Sequence, residues 1–255
     1  MSLIATAVHV ELRKALASRV LRTTTILVVV GIAVLATALV AAAQAGDEQI
    51  LAQLGPLADE TGWSLLTGVT AQITAAGALL AFGVALSWTF GREFTDGTIT
   101  GLFALPVSRP VVALAKLYIH MLWTAAVSLT LTMLILTGGL VLDLGSLDSD
   151  ALSQLIRLSV LTILAGMLAA PAGWAATLGR GPLPGIAVTL MILVAAQVTA
   201  IATPDAAAWI PLSAPAVWAL EPGTVHAGQL AMVAIVPITF AALTCISWRR
   251  LQLDR

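Results

Sequence analysis

The chain has 255 residues, 59% of them hydrophobic and only 10% charged, and its mean hydropathy is +1.01. Soluble domains carry about 25% charged residues, so this chain cannot cover a water-facing surface and its solvent is lipid. The net charge of −1 gives no argument for nucleic acid as a partner, and a lone Cys245 excludes an intrachain disulfide.

In chain order, residues 3–19 read as an amphipathic helix. Ile4, Val8, Leu12 and Ala15 share one face, and Glu11, Lys14 and Ser18 share another. That pattern predicts a helix lying in the headgroup plane. Apolar runs long enough to span a bilayer follow at 23–43, 69–90, 111–142, 155–177, 185–203 and 229–248. The third run is too long for a bilayer unless its first turns, with Lys116 and His120, lie in water or headgroups. Ala43-Gln44-Ala45 resembles a signal-peptidase site, but the 22-residue charged lead-in and the span-length core favour a retained span. Pro171 and Pro237 each free a backbone carbonyl and permit a kink in spans four and six. Between spans five and six, Pro204, Pro211, Pro215 and Pro222 break an apolar stretch that holds Trp209 and Trp218. It reads as short helices half-immersed in the outer leaflet. The fold class is an all-α membrane protein. Residues 1–255 form one transmembrane domain, with a lead-in at 1–22, a polar segment at 91–110 and an outer interfacial segment at 204–228.

Basic residues set the orientation. Eleven of twelve, from Arg13, Lys14, Arg19 and Arg22 through Arg92, Arg109, Lys116 and Arg180 to Arg249, Arg250 and Arg255, fall on one side. Only Arg157 falls toward the other. The positive-inside rule makes both termini cytoplasmic. The opposite loops are acidic. Trp63, Trp209 and Trp218 lie toward the outer interface, and Trp88, Trp123, Trp174 and Trp248 toward the inner, as in an aromatic belt.

Catalytic motifs are missing. Neither Lys14 nor Lys116 follows a glycine, so there is no Walker A loop, and no metal-ligand or nucleophile pattern is present. His9, His120 and His226 fall in three separate places and read as ordinary interfacial histidines. The polar residues within the spans include Thr74, Thr124, Thr130, Thr132 and Thr199, whose default role is interhelical hydrogen bonding. Gln72, Ser128 and Gln197 are the candidates for a substrate path. Arg157, near the outer end of span four, can snorkel or pair with Asp143, Asp148 or Asp150.

The segment GREFTDGTITGLFALPVSRP, residues 91–110, concentrates charge between two spans. Thr95 or Asp96 can cap a short helix over about 97–105, and Ser108 can cap the restart of the next span. A short fixed helix carrying charge on the cytoplasmic side suits the docking of a soluble partner.

Glu93, then Gly97-Thr98, then Leu105-Pro106-Val107-Ser108-Arg109, then Lys116, resembles the signature between spans two and three of bacterial type-2 ABC exporter permeases. Glu11-Leu12-Arg13-Lys14 is similar to the N-terminal helix of that family. Asp96 stands where many members have Glu directly before Gly-Thr, leaving two carboxylates, Glu93 and Asp96, for one role. The resemblance implies a permease dimer, homomeric or heteromeric, docked on separate ATPase subunits that bind ATP and Mg, with no cofactor or metal on this chain. It assigns coupling to Glu11, Arg13, Lys14, Glu93, Asp96, Gly97, Thr98, Pro106, Ser108 and Arg109. The expected activity is export of a small amphipathic drug, peptide or lipid. An intramembrane enzyme would need a reactive constellation in the spans, and none is visible. A non-transporting sensor or assembly subunit would show no substrate-stimulated ATPase activity.

Overall fold

The computed structural model describes residues 3–103 and 107–252. Helix α1 (Leu3–Ala17) leads into α2 (Arg19–Gln44). The break between them is set by Ser18, whose hydroxyl accepts from the Leu21 N–H and caps α2. After a short α3 (Glu48–Leu54) and a 3-10 turn (Gly55–Asp59) come α4 (Gly62–Thr95), α5 (Ile99–Phe103) and α6 (Arg109–Val141). The chain continues through α7 (Ser149–Leu178), α8 (Pro182–Ala202), α9 (Pro204–Ala207), α10 (Ala214–Leu220) and α11 (Ala227–Arg249). Six of these, α2, α4, α6, α7, α8 and α11, are long and apolar enough to cross a membrane.

Helices α4 and α7 are the most enclosed of the six and form the centre of the bundle. Around them stand α2 and α6, with α8 and α11 on the outside and mostly unburied. The core runs along α4, α6 and α7 through Leu66, Phe82, Leu86, Phe90, Leu131, Leu158 and Leu161. At 34 residues, α4 is about 50 Å long, well beyond the ~30 Å of hydrocarbon. Its last turns lie at the end of the bundle that also carries α1 and the C-terminal residues. We call this the basic end, and the opposite one the acidic end.

Small residues decide how closely α4 and α8 approach. Gly83, Ser87 and Gly91 line one stripe of α4 at four-residue spacing. A Cβ on Gly91 would run into the backbone of Gly181 and Pro182, and a Cβ on Gly185 would run into Ser87 and the Ala172 carbonyl. Without a hydrophobic drive between helices in lipid, such contact is what van der Waals packing requires.

The kinks fall where the prolines predict. α7 breaks at Ala169 ahead of Pro171, and α11 breaks at Val233–Ala234 ahead of Pro237. Span one holds a π-helical stretch, Leu27–Gly31, that its apolar run does not announce. The aromatic-belt reading needs correction at two positions. Trp63 and Trp248 are buried. The Trp63 indole donates to the Gly145 carbonyl at 3.3 Å, and its ring fills the space that Gly139 leaves. Trp248 donates to the Thr177 hydroxyl at 3.1 Å and meets Phe90 edge-on at 5.8 Å. Their N–H groups find protein partners at the helix ends, so the same sequence positions serve as internal anchors.

Between spans five and six, α10 packs on α4 and α7, with Ala214 and Pro215 buried, while Trp209 stays exposed. The segment predicted to lie at the interface thus contributes a helix that rests on the bundle itself.

Candidate functional site: a buried charge cluster at the basic end

α1, α4 and α6 converge at the basic end, and four charged side chains meet there. The Lys116 ammonium donates to Glu93 Oε1 at 2.6 Å and to Glu11 Oε2 at 2.9 Å. The Lys14 ammonium donates to Glu11 Oε1 at 2.9 Å and to Glu93 Oε1 at 3.0 Å. The Thr98 hydroxyl donates to the remaining oxygen of Glu93 at 2.5 Å. Charges alternate around this ring, two of each sign. Glu93, Lys116 and Glu11 are buried, and only Lys14 keeps partial exposure.

Each part has a local cause. Glu11 and Lys14 lie one helical turn apart on α1, on the face that also holds Ala7 and Ser18. Glu93 sits in the last turn of α4. Asp96 closes that helix, and Gly97, at φ +68°, turns the chain back so that Thr98 reaches Glu93. Lys116 sits two turns into α6. A buried ion is costly unless paired and fully hydrogen-bonded, and here each buried carboxylate and the buried ammonium has opposite charges on two sides. Burial opposes the charged form of Lys14, but the Glu11 and Glu93 carboxylates outweigh it and hold its pKa above the ordinary lysine value.

The cluster fixes which face of α1 turns inward. The polar face of Glu11, Lys14 and Ser18 packs on the bundle, while Leu3, Ile4, Leu12 and Leu16 are exposed. Periodicity reveals two faces but not that Glu93 and Lys116 lie waiting for charged partners.

The sequence-predicted coupling residues thus separate into groups. Glu11, Lys14, Glu93 and Thr98 come together. Arg13, Asp96, Gly97 and Ser108 are exposed at the same end. Ser108 is the N-cap of α6 by position, with Pro110 in the first turn, and its side chain makes no cap bond. Arg109 donates to the Leu251 carbonyl at 2.7 Å and ties the start of α6 to the C-terminal residues. Pro106 lies outside the described residues. Glu93, buried, does not face a partner directly, whereas Asp96 does lie on the surface.

Lys116, expected in water or headgroups at the start of span three, is instead buried and belongs to the cluster. Its signal is legible: a lone lysine in a 33-residue apolar helix needs a carboxylate. His120, one turn further along, is likewise buried rather than interfacial. Its Nε2 lies 3.1 Å from the Gly166 carbonyl, so that nitrogen carries the proton, and its ring meets Phe82 edge-on.

The three path candidates do not share one place. Gln72 and Gln197 line one cavity of about 260 Å³ between α4, α8 and α10, and both are exposed. Ser128 is on a different face, hydrogen-bonded to the carbonyl and hydroxyl of Ser159 at 2.8 Å each, and acts as a link between α6 and α7.

Six membrane-length helices, with a first helix joined by a charge cluster to the turn between spans two and three, make a multi-pass membrane protein. Residues 7–196 match the ABC-2 family transporter proteins, and the chain belongs to that family. It is a transmembrane subunit of an ABC transporter, a transport subunit rather than a catalytic one. The family in general assembles as dimers and works with an ATPase. No curated protein matches the chain in sequence.

Proposed function

We propose that this chain is the permease of an ATP-driven exporter, with the whole of residues 1–255 acting as one transmembrane domain in a bacterial cytoplasmic membrane. The basic end faces the cytoplasm and carries both termini, a reading supported by the distribution of arginine and lysine. A separate ATPase subunit, holding ATP and Mg, docks there on the exposed residues Arg13, Asp96 and Ser108 and on the turn that Gly97 makes. The observation that carries this reading is the four-charge cluster. Displacement of α1 or of the 96–98 turn cannot occur alone, because Glu11–Lys116–Glu93 binds both to α4 and α6. A push at the surface therefore moves spans two and three as a unit.

Two permeases, identical or related, rock against each other. Gln72 and Gln197, side-chain amides at span depth with no hydrogen-bond partner among the described residues, face the path between them. The cargo is a small amphipathic drug, peptide or lipid, released outward past α10.

The test is purification of the tagged chain from its native membrane in mild detergent, followed by reconstitution into vesicles. A P-loop ATPase at one copy per permease, and ATP-dependent loss of a fluorescent amphiphile from the ATP side, are the expected results. A stable lone oligomer with no ATPase would refute the exporter reading.

A further inference from the structure

Arg157 is the one basic side chain that breaks the charge asymmetry, and the structure leaves it without a protein partner. It forms no ion pair and no hydrogen bond among the described residues, and its Nε is buried and unsatisfied. Of the two expectations for Arg157, snorkelling or pairing with Asp143, Asp148 or Asp150, the pairing does not form among the described residues. Asp148 accepts from the Ala151 N–H at 2.8 Å and is used to cap α7. Two turns in from that cap, Arg157 lines a cavity of about 140 Å³ at the acidic end, between α4, α7, α10 and the 3-10 turn. A cavity of about this size takes up a benzene ring in an apolar core, so it accommodates a small head group.

The rest of the wall is ordered. Gln154 accepts from the Thr67 hydroxyl at 2.9 Å and donates to the Ser64 hydroxyl at 3.0 Å. Both ends of its amide are engaged, which fixes the wall. Ser64, used as an acceptor by Gln154, has its own proton to give. Leu57, Leu158 and Leu220 supply an apolar side. The only carboxylate on the rim is Glu60, which is exposed. The two terminal nitrogens of the guanidinium, a hydroxyl donor and an apolar flank match a planar or tetrahedral oxyanion carried on a hydrocarbon tail.

We propose that this cavity binds the oxyanion head, phosphate or carboxylate, of an amphiphile, with Arg157 as the charge that holds it and Ser64 as a second donor. In the orientation given above it lies at the outer leaflet, but binding there needs neither ATPase nor transport, so it stands or falls independently of the export reading.

Dodecyl phosphate titrated into the purified chain in phosphatidylcholine nanodiscs is the probe, with dodecanol and inorganic phosphate as comparisons. Saturable binding of dodecyl phosphate at one per chain is expected. Arg157→Gln should weaken it at least tenfold on the order of a lost charge-assisted pair. Arg157→Lys should keep part of the affinity, because a point charge replaces a fork. Glu60→Gln, an exposed change that leaves the fold intact, should tighten binding about threefold by removing a like charge from the rim. Equal binding of dodecanol, or unchanged affinity in both Arg157→Gln and Glu60→Gln, would overturn the site. Inorganic phosphate competing as well as dodecyl phosphate would overturn the amphiphile and leave a free-anion site. Should Arg157→Gln not fold, the Glu60→Gln and Arg157→Lys affinities decide, and no change in either refutes the proposal.

Discussion

Replacing Lys116 by methionine tests the cluster most directly. The methionine fills similar volume, so the change is one of charge. Lys116 bridges Glu93 at 2.6 Å and Glu11 at 2.9 Å, with its side chain and that of Glu93 each only 1% exposed. Without it, two buried carboxylates share the partly exposed Lys14. Removing one partner of a buried ion pair costs about 3–5 kcal/mol. For a chain of this size that is a fall on the order of 10 °C in the thermal midpoint. The midpoint is followed by tryptophan fluorescence in detergent, and hydrogen exchange across α1 shows whether the lead-in helix detaches first. The double variant Lys116→Met/Glu93→Gln removes one charge of each sign and leaves the Glu11–Lys14 pair on α1. It should recover more than half of the loss, because a balanced deletion strands no ion. A single variant within about 2 °C of wild type, or single effects that add to within about 0.5 kcal/mol, would refute the view of the cluster as one coupled unit.

Charge reversal should separate the two carboxylates of the 91–110 segment: Asp96→Lys, on the surface, lowers co-purification of the ATPase without moving the thermal midpoint, while Glu93→Lys collapses the folded yield. Undiminished ATPase recovery with Asp96→Lys would remove that residue from the docking surface. Because the folded-state pKa of Lys14 is raised above 10.5, its contribution is complete below that pH and is lost as pH rises through the folded value. Limited proteolysis of α1 should accelerate above pH 10.5, and Lys14→Arg, which stays charged, should move the onset higher; an onset that does not move would show that another group controls it. Gly91→Leu drives a side chain into the Gly181–Pro182 backbone and should destabilise by about 1–3 kcal/mol, read as a lower midpoint and a looser α4–α8 contact in cysteine cross-linking.

Much of this architecture is written locally. Span number follows from apolar run length, since lipid rewards every long uncharged helix, and kink positions follow from Pro171 and Pro237, which lack a donor wherever they sit. Glu11, Lys14, Glu93 and Thr98 also fall in stretches where charge interrupts an apolar chain, and the structure brings these four together. What spacing cannot convey is inside from outside among polar groups. Glu93 and Asp96 are three residues apart and chemically alike, yet one is sealed in and the other is on the surface. Trp63 and Trp248 occupy belt positions but are buried against Gly139 and Phe90, because a neighbouring helix rather than lipid covers them.

The sequence by itself determined that the chain is a membrane bundle with one basic and one acidic end, because those properties sum over residues without regard to which helix touches which. Only the tertiary structure decided that Glu11, from the first turns of the chain, and Lys116, 105 positions later, share a salt bridge. It alone left Arg157 without an ion pair among the described residues, although Asp143, Asp148 and Asp150 precede it within 14 positions of the chain. Coulombic pairing acts over a few ångströms in space, and helix packing sets that distance independently of separation along the chain.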